Sequence, residues 1–410
     1  MLVTGSEVSL SLSLCSYLRS AFVMAPQVAG PLLQFPIDMY LRMRQDEEKG
    51  NVLLSPWYLA CALVIMYHGA SGETRRQIAN VIHTDDDGSI VHILDSHASR
   101  MFCRDYRKTR LTVNSYSGLY YDSRVKLSRY FLEPLSSIDV SVQKRDFASN
   151  PFECRLALNG LLRAMSSFTF DEDVFGGDCI GADAMLVLAS VFSFGSRWFS
   201  VRNAHRSTGP FRSESAEASA VEEIVPTVCL TGNFRIGEFT DFDGFKTTVV
   251  EIPYQDPKRS LVIFLPAPTS SLVALEKKLT AAKILTLLRR LDRHKLVQVI
   301  LPRMAVHCVT DLKRHLQPLG VVSVFSNTPD LSNMARLRGL RVSAAKHVAV
   351  FRVGHRGAKP AETQAAAKNA VEAVAGSPVK NVTVDRPFLF LVVSRNPDTV
   401  LLLGSVMRVQ

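Results

Sequence analysis

Histidines, cysteines and carboxylates are plentiful in this chain, with 10 His, 7 Cys and 38 Asp plus Glu. Their spacing assembles no catalytic device. There is no Gly-x-Ser-x-Gly elbow, no phosphate-binding Gly-rich loop ending in Lys-Ser or Lys-Thr, no His-Glu-x-x-His pair, and no Gly-x-Gly-x-x-Gly following a strand. Cys15, Cys61, Cys103, Cys154, Cys179, Cys229 and Cys308 show neither Cys-x-x-Cys nor metal-ligand spacing, and read as small buried hydrophobes rather than a disulfide framework. The pattern indicates no enzyme and no cofactor. The stretch that stands apart is ETQAAAKNAVEAVAGSP at 362–378. Its alanines favour a helix, and Gly376 and Pro378 would end one. Yet only Val371 and Val374 could pack on anything, so such a helix would bury almost no apolar face.

Charge offers a second kind of chemistry. The formal net charge is +10 and the pI about 9.3. That suits a solvated basic surface or a polyanion partner such as a sulfated glycan. The densest basic run, KKLTAAKILTLLRRLDRHK at 277–295, spaces Ile284, Leu287, Leu288 and Leu291 as a packed helix with a basic opposite face. It lacks the interleaved aromatics that stack on bases, so nucleic acid is not indicated.

The elements that must position these residues change character along the chain. Leu33, Ile37, Tyr40 and Leu41 share a helical face after the turn residues Gly30 and Pro31, as do Leu59, Leu63, Met66 and Tyr67, and then Leu158, Leu161, Leu162 and Met165. From about residue 185 short apolar runs take over: MLVLASVFSF, TTVVEIPY, SLVIFLP, LVQVILP, HVAVFRV, FLFLVV and TVLLLGSVM. Helices first and strands later predict an α+β fold with large sheets, and runs apolar on both faces predict covered sheets. A length of 410 residues without linker, repeat or low-complexity block predicts one large domain. No segment reaches the ~18 apolar residues of a membrane span.

Several segments, in order, resemble the serpin family. NVLLSPWYLACALVIMYHGASGETRRQI at 51–78 is similar to its Asn-x-x-x-Ser-Pro strand-to-helix junction and the Gly-Ala-x-Gly-x-Thr turn that follows. VVEIPYQDPKRSLVIFLP at 249–266, VQVILPRMAVHCVTDLKRHLQPLGVVSVFSNTPDLSNM at 297–334, DRPFLFLV at 385–392 and LLGSV at 402–406 resemble its later strands. The resemblance implies a serpin domain over 31–410 with a large central sheet, further sheets and surrounding helices. It also implies an exposed reactive-centre loop at about 354–384. The activity implied is inhibition of a serine protease by a suicide-substrate mechanism: the loop is cut, then enters the central sheet as a new strand, carrying the acylated protease with it.

On that footing the small residues at 362–378 have a purpose, since they are soluble outside and fit a tight slot inside. Alternation tests the register, because neighbouring strand residues face opposite ways. From Thr363 the alternate set is Thr363, Ala365, Ala367, Asn369, Val371, Ala373 and Ala375, small and mostly apolar. The other set carries Lys368 and Glu372, whose burial would cost several kcal/mol. This register makes Glu362, Thr363, Gln364, Ala365, Ala366 and Ala367 the hinge and Gly376–Ser377 the scissile bond, with about five extra residues before the hinge. A small residue there implies an elastase-like protease. The rival, gap-free register takes Gly357-Ala358 as hinge and Val371–Glu372 as scissile bond, but places Pro360 in the inserting strand, where an N–H is needed.

The family's polar shutter, where the central sheet opens, is matched by Ser55 and His347. Its second serine appears as Tyr58 and its asparagine as Ser190, while Trp198 matches the tryptophan at the sheet top. Two glutamates expected before the hinge are absent. These departures imply a second reading, a non-inhibitory carrier or binding protein on the same fold. The sequon Asn381-Val382-Thr383 and family habit imply a secreted, extracellular, monomeric glycoprotein. Residues 1–30, with serines diluting the apolar run and Arg19 interrupting it, read as a poorly defined N-terminal segment with a weak signal.

Overall fold

The computed structural model describes residues 26–83, 112–136, 140–168, 173–177, 179–195, 198, 203–213, 221–240, 244–256, 258–294, 296–354, 379–395 and 398–409. Helix α1 spans Pro26–Asp46 and buries Leu33, Ile37 and Tyr40, with Leu41 half-buried, as the spacing predicts. It starts earlier than the turn residues suggest, running through Gly30 and Pro31; Pro31 costs that part of the helix one N–H donor. A short strand β1 (Val52–Leu54) leads into α2 (Pro56–Gly69), where Pro56 occupies the first turn, the one place its missing N–H costs nothing. The sequence suggests one apolar face for α2, but every residue from Pro56 to Tyr67 is buried. Helix α3 (Gly72–Ile82) completes the N-terminal group.

The remaining elements are β2 (Thr112–Asp122), α4 (Arg129–Leu135), β3 (Ser141–Arg145), α5 (Pro151–Ser166) and β4 (Leu186–Gly195). Then come β5 (Asn203–Ser213), β6 (Val221–Gly232), β7 (Arg235–Thr240), β8 (Lys246–Pro253) and β9 (Arg259–Pro266). Helices α6 (Leu272–Glu276) and α7 (Ala281–Arg289) precede β10 (Asp292–Arg293), β11 (Val297–Pro302), β12 (Met304–Asp311) and α8 (Leu312–Leu316). The chain closes with β13 (Val342–Val353), β14 (Lys380–Thr383), β15 (Phe388–Arg395) and β16 (Asp398–Val406).

Three sheets form among the described residues. One is seven-stranded and antiparallel, in the order β1-β16-β15-β9-β8-β7-β10; a second is β14-β11-β6-β5; the third is β12-β13-β4-β2-β3. The LLGSV segment lies in β16, where a side chain at Gly404 would come within 2.8 Å of the Val52 carbonyl oxygen and 2.9 Å of Phe390. Only glycine lets β1 lie that close to β16. The five-stranded sheet is covered on both faces. Leu186, Leu188, Phe192 and Phe194 of β4 point into the main core, while Val187, Ala189 and Val191 point into a second cluster with Leu158 and Leu162 of α5. That double burial is why β4 reads as an uninterrupted apolar run.

Candidate functional site

The site is a seam. Within the five-stranded sheet, β13 pairs directly with β4 in parallel from Val342↔Leu186 to Arg352↔Gly195, with a single irregularity near Val342. Both strands are antiparallel to their other neighbours, β12 and β2. Parallel pairing is slightly the weaker arrangement per residue. A strand entering here would run antiparallel to both neighbours, and the chain that leaves the upper end of β13 at Val353 re-enters described structure at Val379, ahead of β14. The intervening segment includes the residues expected from sequence as the hinge, Glu362, Thr363, Gln364, Ala365, Ala366 and Ala367, and both candidate bonds, Gly376–Ser377 and Val371–Glu372. All of these lie outside the described residues.

The shutter residues named from sequence do come together. Ser190 and His347 stand directly opposite one another across the seam. The Ser190 hydroxyl lies 2.8 Å from His347 Nδ1, and the Ser55 backbone N–H donates to His347 Nε2 at 3.1 Å. Nε2 therefore accepts and Nδ1 carries the proton, donating to Ser190. The Ser55 hydroxyl donates to the Leu401 carbonyl at 2.8 Å, so this N-cap residue spends its side chain on β16 rather than on its own helix. His347 and Ser55 are fully buried, and burial pushes the His347 pKa down to about 3. The imidazole is neutral, sealed from solvent and bonded on both nitrogens to groups that are not carboxylates. A buried Ser–His pair of this kind joins strands; it offers no nucleophile to a substrate. Tyr58, standing where the family has a serine, stacks on Phe192 at 5.5 Å.

Above the shutter the seam is closed by rings. Trp198 stacks on Tyr254 at 4.8 Å, Tyr254 meets Phe194 edge-on at 5.0 Å, Phe194 lies across the seam from Phe351, and Phe351 stacks on Phe390 at 4.6 Å. Trp198 thus sits just beyond the end of β4, as one member of an aromatic chain that the sequence reading missed. The signal for it was present in the runs SVFSF, VFRV and FLFLV.

On the opposite face Arg352 makes a second tie. Its guanidinium donates to Ser193 Oγ across the seam at 3.1 Å and to the Ser167 carbonyl at 2.5 Å, and lies over the Phe168 ring. Ser167 ends α5 in the left-handed conformation, with φ of 51°, and its hydroxyl accepts from Asn114 of β2 at 2.7 Å. The end of α5 is therefore pinned to strands on both sides of the seam. Burial lowers the Arg352 pKa.

Two further sequence candidates lie elsewhere. Asn381 is exposed on β14, an edge strand of its sheet, while its neighbour Val382 is buried. The basic run at 277–295 is not one helix as its spacing suggests: only Ala281–Arg289 is helical, as α7, which buries Ile284, Leu287 and Leu288. The exposed Lys277, Arg290 and Arg293 lie after α6, at the end of α7 and in β10, and Arg289 is exposed on α7 itself. Among the described residues no cluster of His, Cys, Asp and Glu could hold a metal ion, and no helix is long and apolar enough to cross a membrane. The five described cysteines are free.

Comparison with known proteins agrees with this geometry. Residues 32–409 match the family model described as Serpin (serine protease inhibitor). The chain is 29% identical to Ipis-1 of Ixodes persulcatus over 391 residues, covering 93% of this chain and 99% of the relative. It is 25% identical to human Serpin B4, covering 90% and 96%. Among solved structures it is similar to native protease nexin-1 with heparin (TM-score 0.77, 22% identity, covering 93% and 99%) and to uncleaved ovalbumin (TM-score 0.79, 21% identity, covering 93% and 99%).

Proposed function

Because the chain belongs to the serpin family, whose members are described as serine protease inhibitors, we propose that it is a suicide substrate for an elastase-like serine protease. The observation that carries this reading is the closed parallel seam between β4 and β13, which opens onto the chain leaving Val353. Attack of the protease serine on the Gly376 carbonyl forms an ester and releases the amine of Ser377. The freed hinge, Glu362 to Ala367, then enters the seam antiparallel to both neighbours, and the ester is held before water can reach it.

Incubation with an elastase tests the proposal. A covalent complex stable to SDS is expected, and the fragment that begins at Ser377, which carries β14, β15 and β16, should separate from it only on denaturation. Complete cleavage with no complex, and no gain in melting temperature after the cut, would refute it. That outcome favours the second reading, a carrier on the same fold, which is supported by Tyr58 and Ser190 standing in the shutter in place of the family's residues. A sulfated glycan on the basic face of α7 is a proposed partner, and the heparin bound by protease nexin-1 supports that class of ligand. An N-linked glycan at Asn381 and secretion complete the proposal.

A further inference from the structure

At the lower end of the five-stranded sheet, where β2 ends and β13 begins, lies a cavity of about 830 Å³. Arg75, Arg124, Lys126, Arg129 and Arg336 line it, and among the described lining residues there is no carboxylate. A volume in this range holds a compact organic molecule. Asp122 pairs with Arg124, while Lys126, Arg129 and Arg336 bring three more positive charges to the same concavity, where like charges repel and an entering anion relieves the repulsion.

Two of the five are fixed in advance. Arg124 is held by the Asp122 carboxylate and donates to the carbonyls of Ala182 and Ala184 at 3.1 and 3.2 Å. Arg75 lies over the Tyr67 ring at 4.3 Å and donates to its hydroxyl at 3.0 Å. Lys126, Arg129 and Arg336 are exposed and make no ion pair with the described residues. No described residue neutralises these three charges, and the anchored pair lowers the ordering cost of binding an anion beside them. Guanidinium forks match the planar oxygen pairs of sulfate and phosphate esters. The ring of Tyr130, 89% exposed, stands at the rim as a flat face for a sugar-sized ring.

We infer that this cavity is a binding site for a compact polyanion, a sugar-sized scaffold carrying several sulfate or phosphate esters. The site lies at the opposite end of β13 from the loop and apart from the basic face of α7. It does not depend on the inhibitor reading, since a chain that forms no protease complex can still bind here.

Titration calorimetry at physiological ionic strength tests it, with sucrose octasulfate and inositol hexakisphosphate as separate probes. One-to-one binding of at least one probe is expected. Preference for the sulfated sugar assigns a glycan fragment, and preference for the inositol phosphate assigns a phosphorylated metabolite. The double reversal Arg129→Glu with Arg336→Glu should weaken binding by about tenfold or more, while leaving the melting temperature of the unliganded chain unchanged. The neutral pair Lys126→Gln with Arg129→Gln should weaken it less, and serves if the reversal fails to fold. Absence of binding by both probes overturns the inference. So does binding that survives these changes but is lost on Arg289→Glu with Arg293→Glu.

Discussion

Mild acid should weaken the closed sheet through a single imidazole. In the folded chain His347 stays neutral because burial lowers its pKa from 6.5 to about 3. In the unfolded chain it titrates normally, so between those two values the unfolded state holds the extra proton. The His347 contribution to stability is complete above about pH 6.5 and is lost progressively as pH falls toward 3, at about 1.4 kcal/mol per pH unit. Between pH 7 and pH 5 the loss is about 2 kcal/mol. The structural reason is local: a proton on Nε2 would face the Ser55 N–H, donor against donor, at the start of α2. Burial also lowers the pKa of His68 and His315, so the wild-type profile alone does not isolate the effect. His347→Gln isolates it. Urea unfolding followed by intrinsic fluorescence at pH 7, 6 and 5 should show the variant less stable at pH 7 but losing about 2 kcal/mol less than wild type on acidification. Parallel profiles for the two proteins would refute the reasoning.

The hinge register separates on two neighbouring alanines. Ala367→Arg places a charge on the inward set and should turn an inhibitor into a plain substrate, whereas Ala366→Arg on the outward set should still form the covalent complex; the reverse result selects the rival register. Arg352→Ala removes the contacts to Ser193 and Ser167 and should destabilise the uncut chain by about 1–3 kcal/mol, read as a lower urea midpoint. Asn381→Gln should abolish a mobility shift produced by a peptide N-glycosidase on secreted material.

The strands that could be read from sequence are those buried on both faces. SLVIFLP and FLFLVV became β9 and β15 because the core covers each side, so every position had to be apolar. TVNSYSGLYYD gave no such signal, yet it forms all of β2: Ser115, Ser117 and Gly118 interrupt the apolar pattern, and the strand is held by pairing to β4 together with burial of Leu119 and Tyr120 at its end. Helix α2 was underread for the opposite reason. A helix enclosed on every side has no polar face to define its period. Ser55, Ser190 and His347 were reached through family resemblance, and their contact depends on a register linking residues 157 apart in the chain. The Arg352 tie joins positions 159 and 185 apart, which no local pattern encodes.

The order of ties along the seam has a consequence for the proposed insertion. A strand entering from the Val353 end meets the Phe194–Phe351 rings and the Arg352–Ser193 bond first, and reaches Ser190–His347 about halfway down the paired segment. Ring contacts resist separation through many small attractions that fade gradually with distance. A buried hydrogen bond fails abruptly and leaves a costly orphan unless the incoming strand supplies a partner. The upper part of the seam is therefore built to yield and the middle to check what has entered. Phe351→Leu should speed early insertion, while Ser190→Ala, which leaves the His347 Nδ1–H unpaired, should act on the later half. Stopped-flow fluorescence from Trp198 in a Trp57→Phe background separates the two, and equal effects of both changes on the first phase would refute this order.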